Sequence, residues 1–198
     1  MSFALQSQKR IACILQESAD LHTRLIEEAI EPLTHMAETL IQSFRSGGKL
    51  LLFGNGGSAA DAQHVAAEFV GRFQQERRGL PAIALTTDSS AVTSISNDYG
   101  YEQVFARQIE AFGVTGDVVL AISASGNSPN VIVGVERAKE LGLVTFGLAG
   151  GSGGKLALLA NVCITVPSKV TARVQECHLA LEHILCELVE EALFGEPQ

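Results

Sequence analysis

The chain has no tryptophan, two tyrosines, two methionines and only five prolines in 198 residues. Basic residues are also scarce: 14 Lys and Arg against 22 Asp and Glu leave a formal net charge of −8. That sign excludes broad, charge-driven nucleic-acid binding and leaves Arg72, Arg77 and Arg78 as one local basic patch. No apolar run reaches the roughly 20 residues of a membrane span, so no membrane association is expected. The opening Met1-Ser2-Phe3-Ala4 lacks a basic stretch followed by an apolar core, so no secretory signal is expected either. Cys13, Cys163, Cys177 and Cys186 form neither a C-x-x-C pair nor a zinc-finger spacing. Buried free thiols in a reducing cytoplasm are the expectation.

What the chain does have is apolar content of 46% and 19 glycines. Both suit a single domain, 1–198, with a full core. Within it, 1–48 reads as an N-terminal helical segment and 49–194 as an α/β core ending in a helix. Ile11, Ile14, Leu15, Leu21, Leu25 and Ile26 recur at helical spacing. Pro32 marks the start of a second helix, Leu33 to Phe44, which Gly47-Gly48 closes. Beyond it, strands are expected at 49–53, 82–86, 118–123, 144–148 and 162–166. Helices are expected at 59–73, 102–112, 128–141, 154–160 and 170–193. Such alternation predicts a parallel sheet covered on both faces. The last helix is long and broadly apolar through Leu179, Leu181, Ile184, Leu185, Leu188 and Val189. That surface and the apolar N-terminal helices favour a homo-oligomer over a monomer with a large helical layer.

Two loops carry chemistry. Leu51-Leu52-Phe53 runs into Gly54-Asn55-Gly56-Gly57-Ser58 and then an alanine-rich helix. The glycines allow backbone angles that side chains forbid. Ser58 suits an N-cap, and Asp61 suits the first turn. Free N–H groups and the helix dipole make such a start an anion site. Walker A is excluded because no Lys-Ser or Lys-Thr follows, and the G-x-G-x-x-G fingerprint fails at Ala59. The second loop, Ser123-Ala124-Ser125-Gly126-Asn127-Ser128, follows Val118–Ile122 and precedes a helix with Pro129 at an early position. Its hydroxyls can each donate to a phosphate oxygen, at roughly 1.5–3 kcal/mol per bond to a charged group. His64 and Glu68 are four apart and share a helix face. Gln175 and His183 are eight apart, a little over two turns, on similar sides of the last helix.

With G-N-G-G-S after the first strand and S-x-S-G-x-S after the third, the chain resembles the sugar isomerase (SIS) domain family. It is closest to its phosphoheptose isomerase branch. Arg72-Phe73, Leu80 to Leu85, Asn97-Asp98-Tyr99-Gly100, Gly116-Asp117 and Gln175-Glu176-x-His178 extend the resemblance from about residue 8 to residue 194. It implies an α/β fold, a three-layer α/β/α sandwich on a five-stranded parallel sheet, assembled as a cytoplasmic tetramer. It implies conversion of sedoheptulose 7-phosphate to D-glycero-D-manno-heptose 7-phosphate, the first step towards ADP-heptose for the lipopolysaccharide core. Ser123, Ser125 and Ser128, with Asn55 and Ser58, would hold the phosphate. Asn97 and Asp98 would meet sugar hydroxyls. Gly56, Gly57, Glu68, Ala124 and Gln175 complete the expected substrate contacts. Position 124 is Ala where some members have Thr, so one hydroxyl is lost. One zinc ion per subunit would sit on His64, Glu68, Gln175 and His183, with Glu68 as the base and His183 as the acid. His178 is read as structural. The alternative is a non-catalytic SIS-domain regulator resembling a DnaA-associating replication protein, which needs the fold and the serine loops but not the Glu68–His183 pair.

Overall fold

Leu50–Gly54 (β1) and Val118–Ser123 (β3) are buried at every residue. Strands that read as unbroken apolar runs belong in the middle of a sheet covered on both faces. The computed structural model, which describes residues 3–195, places them there. Residues 1–2 and 196–198 of the expected domain lie outside the described residues. All five expected strands form, with Ala82–Ala84 (β2), Val144–Gly150 (β4) and Val162–Val166 (β5) completing the set. They pair in parallel, in the order β2-β1-β3-β4-β5. The order reverses between β1 and β3, so the loops leaving those two strands flank the crevice where such sheets bind ligands.

The helices are α1 (Phe3–Arg45), α2 (Gly57–Val70), α3 (Ser89–Tyr99), α4 (Val104–Phe112), α5 (Pro129–Glu140), α6 (Gly154–Leu159) and α7 (Thr171–Phe194). A 3₁₀ turn, Tyr101–Gln103, leads into α4. One face of the sheet packs on α1, α2 and α7, through Leu50, Leu52, Leu120 and Ile122. The other packs on α4, α5 and α6, through Leu51, Phe53, Val119 and Ala121. Alternate residues of each strand thus supply the two cores.

Three local expectations need correction. The N-terminal segment is one helix of 43 residues, and Pro32 lies inside it. Proline removes one intrahelical bond and crowds the preceding turn. However, the buried stripe Leu21, Leu25, Ala29, Leu33, Met36, Ala37, Leu40 runs through that position without a break, and its packing carries the helix across. Helix α3 was absent from the sequence pattern because its SSAVTSISNDY composition favours turns and it buries no residue. Its readable signal was Asp88, whose carboxylate accepts from the Ala91 N–H at 3.0 Å. Finally, Cys177 and Cys186 are buried free thiols, but Cys13 is exposed on α1.

Candidate functional site

The β1–α2 loop begins the site. Gly56, at φ +57°, is the residue before α2 and has no side chain to cap it. Ser58 is therefore not the N-cap; it is the second residue of the helix, 3% exposed. The first N–H groups of α2 are left for a ligand. Gly57 serves a different purpose: it leaves room for the Gln175 amide, which lies against it and would have to shift for a Cβ.

In the β3–α5 loop, Ser123 and Ser128 bring their hydroxyl oxygens within 3.0 Å of each other. Ser125 is exposed, and its Oγ accepts from the Asn127 N–H at 3.2 Å. The Asn127 amide donates to the Ser125 carbonyl at 2.8 Å and accepts from the Lys155 N–H at 3.1 Å. The Ala124 side chain is half-buried and adds no donor.

The two loops are tied together. Asn55 Nδ2 donates to Asn130 Oδ1 at 2.8 Å, and Asn130 Nδ2 donates back to Asn55 Oδ1 at 2.9 Å. The Tyr101 hydroxyl donates to the same Asn55 oxygen at 3.0 Å. The Asn55 side chain is thus mainly a cross-brace, and one amide hydrogen and its backbone N–H are left for a ligand. Sequence reasoning missed Asn130 and Tyr101. Asn97 and Asp98 sit exposed on the last turn of α3, where the Asn97 amide donates to the Asp98 carboxylate at 2.8 Å. Among the described residues neither bonds to either loop.

Helices α2 and α7 bring the ionisable residues together. The Nε2 atoms of His64 and His183 are 2.7 Å apart, one ring N–H donating to the other's bare nitrogen. Glu68 Oε1 lies 3.5 Å from the same His64 nitrogen. The Gln175 amide lies against Gly57 and makes no hydrogen bond to this group among the described residues. It lies level with Gly57 whereas His183 lies level with His64, because α2 and α7 run side by side in the same direction. Eight residues of helix amount to roughly 12 Å of rise, so Gln175 would join the cluster only through the reach of its long side chain.

Buried groups set this cluster in place. Glu190 and Arg77 form an ion pair at 2.6 Å, with side chains 2% and 1% exposed. Glu190 also accepts the N–H groups of Phe73, Gln74 and Gln75 at 2.7–2.9 Å. Burial alone would raise its pKa, but those bonds and Arg77 hold it below the usual carboxylate range. The Arg77 guanidinium donates to the Glu68 and Phe69 carbonyls at 2.9 and 3.0 Å. The clamp fixes the end of α2 and the loop after it, which lays the Phe73 ring 5.6 Å from the His183 ring. Behind the histidines, Glu182 is 1% exposed, and burial and then the nearby Asp61 carboxylate push it up to about 8. Burial also raises Asp61, which His64 partly offsets. His178 is fully buried and its Nε2–H donates to the Ala149 carbonyl at 3.0 Å. Burial drives its pKa down to about 4, so at neutral pH it is an uncharged structural group.

Two imidazoles and a carboxylate around an open side are the donor chemistry of a catalytic zinc. The fit is close, not complete. Among the described residues, no three His, Cys, Asp or Glu side chains stand in coordination geometry. Two donors each about 2.1 Å from a tetrahedral ion lie roughly 3.4 Å apart. The His64–Glu68 spacing of 3.5 Å meets that, and the histidines at 2.7 Å would have to part slightly.

Residues 15–150 match the SIS domain. The chain is 55% identical over 182 residues to a phosphoheptose isomerase of Roseiflexus sp. (strain RS-1), covering 92% of each chain. It is 51% identical to that of Aquifex aeolicus, covering 92% of this chain and 96% of the relative. The phosphoheptose isomerase structure from Neisseria gonorrhoeae superposes with a TM-score of 0.88 at 43% identity, over 93% of this chain and 98% of that one. The one from Francisella tularensis gives 0.90 at 34% identity, with the same coverage. These relatives support the catalytic reading and not the regulator. The chain belongs to the phosphoheptose isomerase family of SIS-domain proteins.

Proposed function

We propose that the protein isomerises sedoheptulose 7-phosphate to D-glycero-D-manno-heptose 7-phosphate, supplying ADP-heptose synthesis for the lipopolysaccharide core. The observation that carries this reading is the convergence of His64, Glu68 and His183 on helices that start beside two cross-braced anion loops. Ser58, Ser123, Ser125 and Ser128, with the Asn55 backbone and its spare amide hydrogen, hold the phosphate. The Asn55–Asn130 brace keeps both loops in one cradle. Gly56 and Gly57 let the chain approach the phosphate closely, and Ala124 lines the cradle. Asn97, Asp98 and Gln175 meet the sugar hydroxyls.

With the phosphate anchored, Glu68 takes the proton from C1 of the open-chain ketose. His183 delivers a proton to the C2 oxygen, and the result is an enediol. A proton returned to C2 and one lost from the C1 hydroxyl give the aldose. No bond order changes outside C1 and C2, and no oxidant or reductant is needed. Each positioned acid or base contributes about 100- to 10,000-fold. His64, Glu68 and His183 would hold one zinc ion per subunit, with the Gln175 amide as fourth donor. When bound, the ion supplies stabilisation of negative charge on the substrate oxygens.

Turnover of sedoheptulose 7-phosphate by the purified protein is the deciding assay, and absence of turnover would overturn the reading. Chelation should abolish the activity and added zinc restore it. Full activity after chelation, with no metal found by elemental analysis, would rule out the zinc site while leaving the isomerase reading intact.

Ile26 and Ile30 on α1 are each 62% exposed, and Ile184 on α7 is 45% exposed. They rim an apolar groove of about 320 Å³ between the two helices. Burying such surface is worth about 25 cal/mol per Å², which supports self-association of the 21.0 kDa chain; the homotetramer is the assembly that the family resemblance implies. Light scattering at micromolar concentration should give the tetramer mass, and a monomer would refute the assembly. In the cytoplasm its free thiols stay reduced.

A further inference from the structure

The cradle of serine hydroxyls, amide and backbone N–H groups is made of neutral donors, yet a phosphate monoester carries a charge of about −1.5 to −2 at neutral pH. Hydroxyls and N–H groups satisfy its oxygens without cancelling its charge, and the chain itself is at −8. Three nearby arginines already have carboxylate partners. Arg77 is locked to Glu190 at 2.6 Å, Arg173 is bonded to Glu176 at 2.5 Å, and Arg72 lies 3.6 Å from Glu76.

A cavity of about 250 Å³ opens beside Ser125, where β3, β4 and β5 end. Its polar side chains are Ser125, Ser152, Ser168, Lys169 and Thr171, and the rest of its wall is Ala and Gly. Among the described residues, Lys169 is the one charged residue lining it. The backbone beneath that lysine is held. The Ser168 N–H donates to the Val166 carbonyl at 2.7 Å, and the Val170 N–H donates to Ser168 Oγ at 3.2 Å. The Gly151 N–H donates to both the Val166 and Ser168 carbonyls at 2.9 Å, joining this loop to the turn across the cavity. A fixed Cα with an ammonium on a flexible four-carbon stem is a mobile point charge above a rigid floor.

We infer that Lys169 is a substrate-binding residue whose ammonium reaches over this cavity and neutralises the phosphate held by Ser125 and its neighbours. The inference rests on the substrate being a phosphate ester, as the proposed function has it. A cation at this position also raises the local concentration of an anionic substrate against the repulsion of an acidic protein.

The test compares Lys169→Gln and Lys169→Arg with the wild type. KM for sedoheptulose 7-phosphate and the inhibition constant for inorganic phosphate are measured at low and high salt. In Lys169→Gln both constants rise about tenfold, the low end for a bond to a charged group, while kcat changes less than about twofold. Lys169→Arg returns both to near the wild-type values. The wild-type KM climbs with salt and the Gln variant's climbs less. Unchanged KM and phosphate inhibition in Lys169→Gln, with an active wild type, would overturn the role of Lys169. A wild type that binds phosphate through Lys169 by calorimetry but does not turn over the sugar would overturn the reaction and keep the lysine. Neither turnover nor phosphate binding would overturn both.

Discussion

Glu68→Gln lowers kcat by about 1,000-fold, within the range of one lost acid–base catalyst, while inorganic phosphate binds within about threefold of the wild type. The Gln side chain keeps the shape and one acceptor oxygen but cannot take a proton. The phosphate loops start from other residues, braced by Asn55 and Asn130, so binding survives. His183→Gln gives a loss of similar size for a different reason: it removes the ring that faces His64 at 2.7 Å and packs on Phe73. Exchange of solvent deuterium into the substrate separates the two. If Glu68 is the base, its Gln variant stops exchange altogether. The His183 variant, which still holds the base, retains slow exchange. The double variant falls short of the product of the two losses, because the residues act as a unit. Near-normal turnover in either single variant would remove that residue from the chemistry.

The sequence made the sheet legible and the site only partly so, for physical reasons. The central strands were readable because parallel strands covered on both faces are apolar almost throughout, and 118–123 is buried at every residue; the edge strands β2 and β5 were readable as short apolar runs between helical patterns. The loops were readable because glycine and serine clusters at strand ends have few other uses. Pro32 misled because its local preference to begin a helix was outweighed by a packing stripe that continues past it. Helix α3 escaped because it has no fully buried residue and packs on the core only through Val92 and Ile95, too few for a periodic signal. The Asn55–Asn130 brace joins residues 75 apart in sequence, and the Arg77–Glu190 pair residues 113 apart. Neither has a spacing rule to betray it. Gln175 shows the limit of a spacing rule: it shares a side of α7 with His183, but the rise along the helix sets the two residues at different levels. His64 with Glu68 needed only one helix, and it came out as expected.

The Arg77–Glu190 pair leads to the largest stability effect. Glu190→Gln leaves a guanidinium 1% exposed with no counter-charge. Removing one partner of a buried pair costs about 3–5 kcal/mol, which for a chain of this size lowers Tm by roughly 6–20 °C. The loss is also pH-dependent. The Glu190 pKa is lower in the folded than in the unfolded chain, where it is near 4.5. Its contribution is therefore complete above that value and is lost as pH falls through the folded pKa. Thermal unfolding followed from neutral to acid pH should show the wild type losing its advantage over Glu190→Gln in that acid window. A Tm gap below about 2 °C at neutral pH would show that the clamp is not a stability element. Because the same carboxylate holds the Phe73, Gln74 and Gln75 N–H groups, the variant also loosens the loop that seats Phe73 against His183. Its kcat should fall even at temperatures where it is fully folded. Arg77→Lys keeps the charge but cannot reproduce the guanidinium's bonds to the Glu68, Phe69 and Arg78 carbonyls. It should recover part of the Tm and little of the kcat, because charge balance stabilises the fold whereas the fork geometry is what holds the end of α2, and Glu68 with it, in register with α7.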